Sequence, residues 1–261
     1  MKALSIAATG MLAQQTNVDV IANNIANLNT TGYKRFRPEF QDLLYQNLRR
    51  VGADSSDSGT IVPSGVQIGV GVKTASVYRI IEQGNLISTG NTLDVAIQGT
   101  GYFQLQLPNG DNAFTRAGSF QLSANGQIVN ADGYTVSPGI TIPSDAVDIS
   151  INANGQVLVK LDGQITPANV GTFDLVSFSN GAGLESIGGN LLLETPSSGA
   201  PTTSTPGAAG FGFISQGFIE TSNVDAVSEI TALISAQRAY EMNSKVITTA
   251  DEMMRTSSQL R

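Results

Sequence analysis

Asp94 and Arg116 are the residue types best suited to chemistry, because an acid beside a cationic stabiliser is the smallest kit for carboxylate catalysis in a chain without His. No second carboxylate is placed to complete such a mechanism. Both lie in strand-and-turn sequence, so the expectation is a structural pair between them. The chain has neither His nor Cys. That removes imidazole and thiolate zinc ligands, Ser-His-Asp and Cys-His triads, and c-type haem attachment. Asp132 and Asp162 sit where Asp serves hairpin geometry, and the spacing of a calcium-binding β-roll is missing. Gly69-Val70-Gly71 and Gly99-Thr100-Gly101 begin like phosphate-cradling loops, but neither completes a dinucleotide or Walker motif between a strand and a helix. Both are read as turns or bulges. No catalytic residue, cofactor or metal ligand is assigned, and the chain is expected not to be an enzyme.

With chemistry set aside, the elements that would have held it become the subject. The 261 residues suffice for one large domain or two modest ones. Charged residues make up 13%, about half the ~25% of an ordinary soluble protein, which suggests surfaces destined for burial. The net charge is −7 and no basic run is present to neutralise a phosphate backbone, so nucleic acid is not an expected partner. No apolar run approaches the ~20 residues of a membrane span. Met1-Lys2 and the stretch 3–13 imitate a signal peptide, yet Thr9 and Gly10 interrupt it and Gln14-Gln15-Thr16-Asn17 replaces a cleavage site. No cleaved leader is expected.

Leu4, Met11, Val18 and Ile25 recur every seven residues, with Ala7, Ile21 and Leu28 at the second apolar position and Gln14 breaking that series. The spacing predicts an amphipathic helix that stops near Asn29-Thr30-Thr31-Gly32, where Gly32 suits a left-handed cap. At the other end Ala226, Leu233, Tyr240, Ile247 and Met254 predict a second long helix, with Ser222 and Asp225 resembling a capping box. Between them lie short alternating runs punctuated by Asn109-Gly110, Asn125-Gly126, Asp132-Gly133, Asn154-Gly155 and Asp162-Gly163, the signals of antiparallel hairpins. Residues 49–65 and 196–210 read as mobile loops. The fold class is therefore α+β: long N- and C-terminal helices forming a coiled coil, around a mainly-β antiparallel central domain. The expected division is 1–32 with 222–261 as the helical domain, 33–78 as an extended connector carrying an insertion, and 79–221 as the β-rich domain.

A long apolar stripe flanked by uncharged polar residues calls for partners. If one surface meets a different surface on the next copy, a ring or a helical filament results. Two helices packed on the β-domain as a self-contained fold remain the alternative.

The stretch Ala22-Asn23-Asn24-Ile25-Ala26-Asn27-Leu28-Asn29-Thr30-Thr31-Gly32-Tyr33-Lys34 resembles the N-terminal signature of the flagellar rod and hook family. The signature residues are Asn23, Asn24, Asn27, Asn29, Thr31, Gly32 and Tyr33. Residues 91–103, Phe114-Thr115-Arg116-Ala117-Gly118-Ser119-Phe120 and the segment 237–245 extend the resemblance along the whole chain. Length and the Ser222-Asn223-Val224 lead-in to the last helix are similar to the distal-rod branch, hook proteins being longer.

The resemblance implies a self-assembling helical homopolymer, with the terminal helices forming an inner tube around an export channel and the β-domain facing outward. Packing there would fall to Leu4, Met11, Val18, Ile21, Ile25, Leu28, Leu233, Tyr240, Ile247 and Met254. It further implies export by the flagellar type III apparatus without a cleaved signal. The polymer would be a periplasm-spanning rod joined to proximal rod proteins and hook protein, turning inside the P-ring and L-ring bushing. Segment 49–78 is similar to an extension that stiffens the rod. A proximal-rod or short hook protein is the near alternative, and a secreted β-rich adhesin or enzyme the distant one.

Overall fold

In the computed structural model, residues 2–49, 64–164 and 166–259 are described, and the chain divides into two compact units. The first comprises Met1–Ile25, Phe36–Tyr78 and Asp225–Arg261; the second comprises Ala26–Arg35 and Arg79–Val224.

The first unit is built on α1 (Lys2–Ala26) and α2 (Ala226–Gln259). Both are rich in good helix formers, and Asp225 caps α2 by accepting a hydrogen bond from the Ser228 amide at 3.2 Å. The cap is thus Asp225 and not the box expected from Ser222, whose hydroxyl instead accepts from the Val224 amide. Near the end of α2 Arg255 and Asp251 pair at 3.1 Å, four residues apart, well exposed and worth little. A position on α1 where Gly10 lies against the Asn243 side chain, and another where Asn24 reaches Glu229, show that the helices run antiparallel. Ala7, Ala13 and Ile21 on α1 and Ala236 and Ala250 on α2 are buried.

After α1 a two-stranded ribbon occupies 36–49 and 66–79. Phe36–Asp42 pairs with Val72–Arg79, and Tyr45–Arg49 pairs antiparallel with Val66–Gly69 in the register Tyr45↔Gly69. The expected loop at 49–65 falls for the most part on residues 50–63, outside the described residues. Its flanks are strands. Leu44, Tyr45, Leu48 and Val66 of this ribbon are exposed.

The second unit is antiparallel β-structure. All five hairpin signals are realised: Asn109-Gly110 joins Tyr102–Gln106 to Asn112–Thr115, and Asn125-Gly126 joins Gln121–Leu122 to Ile128–Val129. Asp132-Gly133 leads from Ile128–Val129 to Thr135–Val136, while Asn154-Gly155 and Asp162-Gly163 connect Ala146–Ile151, Gln156–Leu161 and Ala168–Thr172. Gly at each turn takes φ between 77° and 89°, where a Cβ is disfavoured. The core centres on Phe103, Phe120 and Phe173, with Phe103 edge-on to Phe120 at 5.1 Å. Each ring is essentially fully buried, a contribution of about 1.5–3 kcal/mol apiece.

Two expectations are corrected here. Residues 196–210 contain the strand Thr202–Ser204, which pairs with Leu175–Ser177; β-branched Thr and a free neighbouring edge outweigh the turn-forming composition. Gly32 does not cap α1, which ends at Ala26. It is left-handed, at φ 69°, and an added Cβ would lie 2.7 Å from the Ala117 backbone nitrogen. Glycine is required on both counts, and the Gly32 amide donates to the Glu220 carbonyl. Gly32→Ala is expected to cost more than ~1 kcal/mol. Urea unfolding would show this as a lower midpoint, and an unchanged midpoint would refute the close-approach explanation.

Candidate functional site

The signature segment connects backbone to backbone through side-chain amides. In the first unit Asn24, 1% exposed, donates from Nδ2 to the Phe36 carbonyl at 2.9 Å and accepts the Phe36 amide on Oδ1 at 2.9 Å. A primary amide reproduces the donor and acceptor of a strand neighbour, so Asn24 takes that place for the first residue of the strand Phe36–Asp42. The same Nδ2 reaches Glu229 on α2 at 3.3 Å. Asn24→Leu keeps the volume and strands both polar groups of Phe36, an expected loss of ~1–3 kcal/mol in chemical denaturation.

In the second unit the segment 26–35 continues this pattern. Asn27 accepts from the Thr30 hydroxyl, the Thr31 carbonyl accepts from Asn190, and the Arg35 amide donates to Asn223 at 2.7 Å. Asn223 in turn donates to the Ile80 and Glu82 carbonyls. Tyr33 is half-buried beside them, and Asn23 and Asn29 are exposed.

Lys34 and Arg116 then meet on one carboxylate. Glu220, 1% exposed, accepts from Lys34 Nζ on Oε1 and from Arg116 Nε on Oε2, each at 2.5 Å, and its Oε1 also accepts the Gly84 amide. Arg116 spends its other bonds on the carbonyls of Gly101, Ile97 and Gly99. The expected Asp94–Arg116 pair is therefore not formed: Asp94 accepts from Thr89 and Asn91 instead. Sequence reasoning missed Glu220 as the partner because the separation of 104 residues from Arg116 leaves no local trace. Of the two glycine pairs read as turns, Gly99 and Gly101 serve this cation, since their positive φ values, 110° and 135°, belong to the backbone whose carbonyls it binds.

Burial alone would push the Glu220 carboxyl up, but Arg116 and Lys34 outweigh it and hold it below its ordinary 4.5. Burial draws the Lys34 ammonium below its usual value, against the opposing pull of Glu220. Because the folded carboxyl binds protons less readily than the unfolded one, its contribution is complete above the ordinary value. It disappears as pH falls through the lower folded value. Glu220→Gln leaves two buried cations without a counter-ion and is expected to cost ~3–5 kcal/mol. Acid titration of urea stability should show a weaker pH dependence below 4.5 in that variant than in the parent chain.

On the helices, Ile21 is buried and Leu4, Met11, Val18, Ile25, Leu233, Ile247 and Met254 are half-buried, whereas Tyr240 is 44% exposed. Leu28 is half-buried within the second unit. A second set of apolar residues lies outside that seam. Val227, Ile230, Ile234, Met242, Val246 and Met253 on α2 are exposed by 46–72%. The sequence signal for them was available in the seven-residue spacing of Val227 with Ile234 and of Val246 with Met253.

Comparison with known proteins covers both ends and the middle. Residues 4–34 match the family described as "Flagella basal body rod protein". Residues 96–159 match "Flagellar hook protein FlgE/F/G D1 domain", and 215–260 match "Flagellar basal body rod FlgEFG protein C-terminal". The chain is 61% identical over 261 residues to the flagellar basal-body rod protein FlgG of Caulobacter vibrioides, covering 100% of both. It is 55% identical over 253 residues to that of Agrobacterium fabrum, covering 97% of each. It is 39% identical over 268 residues to that of Bacillus subtilis, covering 100% of this chain and 99% of the relative. With helical ends, a β-rich middle and an Asn-rich joining segment that match these relatives over the full length, the chain belongs to the family of flagellar basal-body rod protein FlgG.

Proposed function

We propose that this protein is a structural subunit of the distal rod, polymerising into a rigid hollow helical drive shaft that carries torque from motor to hook. The observation that carries the reading is the apolar surface left over after α1 and α2 have packed. Half a dozen large apolar side chains stand exposed along α2, and Leu12 on α1 is 65% exposed. Burial of such side chains contributes about 1.5–3 kcal/mol each, so a neighbour that covers them gains a large driving force. On α1 only Lys2 and Asp19 are charged.

In this reading residues 1–32 and 222–261 form a coiled-coil inner tube, 33–78 the connector, and 79–221 the outer domain. Contact is heterologous, so each copy offers a different face to the next and the array stays open. The ribbon at 36–49 and 66–79 adds exposed apolar contacts that resist sliding between copies. The subunit leaves the cytoplasm through the flagellar type III apparatus without a cleaved signal and joins proximal rod proteins below and hook protein above. It turns within the P-ring and L-ring and catalyses no reaction. No helix among the described residues is long and apolar enough to cross a membrane, in keeping with a shaft and not an anchor.

Val18→Asp places a charge on a half-buried position of α1, and the expected result is loss of polymer with the β-rich unit still folded. Negative-stain electron microscopy of concentrated protein would show straight tubes for the parent chain and none for this variant or for a chain lacking residues 1–28. Tubes from the Val18→Asp variant would refute the packing claim.

A further inference from the structure

Beside the Lys34–Glu220–Arg116 cluster, within the β-rich unit, lies a half-enclosed cavity of about 220 Å3. Lys34, Arg116 and Tyr102 line it, and Ile81, Phe178 and Gly181 supply apolar wall. The three polar residues are each more than nine-tenths buried. Lys34 has three N–H groups, of which one donates to Glu220 and one to the Glu82 carbonyl. Arg116 has five, four of which reach Glu220 and the carbonyls of Gly101, Ile97 and Gly99. Each cation therefore keeps one N–H without an acceptor among the described residues. The Tyr102 hydroxyl is buried and has no hydrogen-bond partner there either. Buried polar groups in folded proteins are nearly always satisfied, so three unspent donors around one cavity point to an acceptor that arrives from outside.

The charge balance says what kind of acceptor. Lys34 and Arg116 share the single carboxylate of Glu220, and the charge of buried Arg79 also acts on Tyr102, so the surroundings of the cavity carry an excess of positive charge. Burial pushes the Tyr102 phenol above its ordinary value, so it remains a donor across the physiological range. A water molecule can accept hydrogen bonds but brings no negative charge, whereas a carboxylate satisfies the donors and offsets the positive excess together. The walls and the size set the rest: the cavity is smaller than the ~300–1,000 Å3 of drug-sized sites, so its occupant is short.

We propose that this cavity is a carboxylate-binding site, taking a short monocarboxylate with an apolar body, its oxygens held by the Tyr102 hydroxyl and the spare N–H groups of Lys34 and Arg116. The group belongs either to a free small acid or to an acidic side chain of another polypeptide. The assignment does not depend on polymerisation and would hold for the isolated subunit.

The test titrates the full chain with benzoate and with the capped peptide Ac-Ala-Glu-Ala-NH2, using saturation-transfer NMR. Benzamide and Ac-Ala-Gln-Ala-NH2 serve as neutral isosteres. Saturable binding of at least one carboxylate, with neither isostere bound, is the expected result. Benzoate alone identifies a free acid as the source, and peptide binding identifies a side chain. Tyr102→Phe removes one charge-assisted hydrogen bond and should weaken binding about tenfold. Gly181→Ala is an independent variant, because its Cβ would stand 3.0 Å from both the Tyr102 hydroxyl and Ile81 Cδ1 and would narrow the cavity without touching a charge. Circular dichroism checks that each variant is folded. Failure of both carboxylates to bind, equal binding of the isosteres, or unchanged affinity in the folded variants would overturn the proposal.

Discussion

Everything in the β-rich unit is organised around one buried carboxylate. Glu220 closes the last strand before α2 and accepts from Lys34, which follows α1, and from Arg116, which lies mid-chain. Three stretches distant in sequence are thereby fixed at one point. Ion pairs removed from water return little net stability, since the desolvation of three charges offsets most of their attraction. Their value is specificity: any other register of these segments would leave a charge buried without its partner. Arg116 extends the constraint by binding three carbonyls of the strand and turn at 97–101. The glycines there are then required by backbone geometry and not by any phosphate.

Elsewhere the chain relies on amides where other proteins use charges. Asn24 supplies a mock strand to Phe36, and Asn223 does the same for the Arg35 amide and the Ile80 and Glu82 carbonyls. Amide-to-backbone bonds place polar connections in buried positions without the penalty of an ion. This explains how a chain with 13% charged residues can join irregular segments firmly. Within the signature it is Asn24 that acts as a short section of backbone which the local structure lacks.

The helices follow a different logic. Ala7, Ala13, Ala236 and Ala250 are buried on α1 and α2 together with Ile21, whereas Leu12 and a second apolar set on α2 stand exposed. That set is the part of the helix surface with hydrophobic contacts still to make. In the proposed assembly other copies would cover it, and the exposed ribbon at 36–49 and 66–79 offers a second surface of the same kind.

The sequence by itself determined the two helices, the five hairpins and the antiparallel character of the middle, because each of these is written in local periodicity or in a turn that admits few residue types. Asn154-Gly155 can hardly be anything but a tight turn between alternating strands. The signature at 22–34 was legible as a pattern, though not its work. Tertiary structure alone decided that Arg116 binds Glu220 and not Asp94, that Gly32 is left-handed against the Ala117 backbone and does not cap a helix, and that Thr202–Ser204 becomes a strand. It also decided that the second apolar stripe of α2 is the exposed one. Those outcomes rest on groups that meet across tens to hundreds of residues, where desolvation and close approach choose among partners that local sequence leaves equivalent.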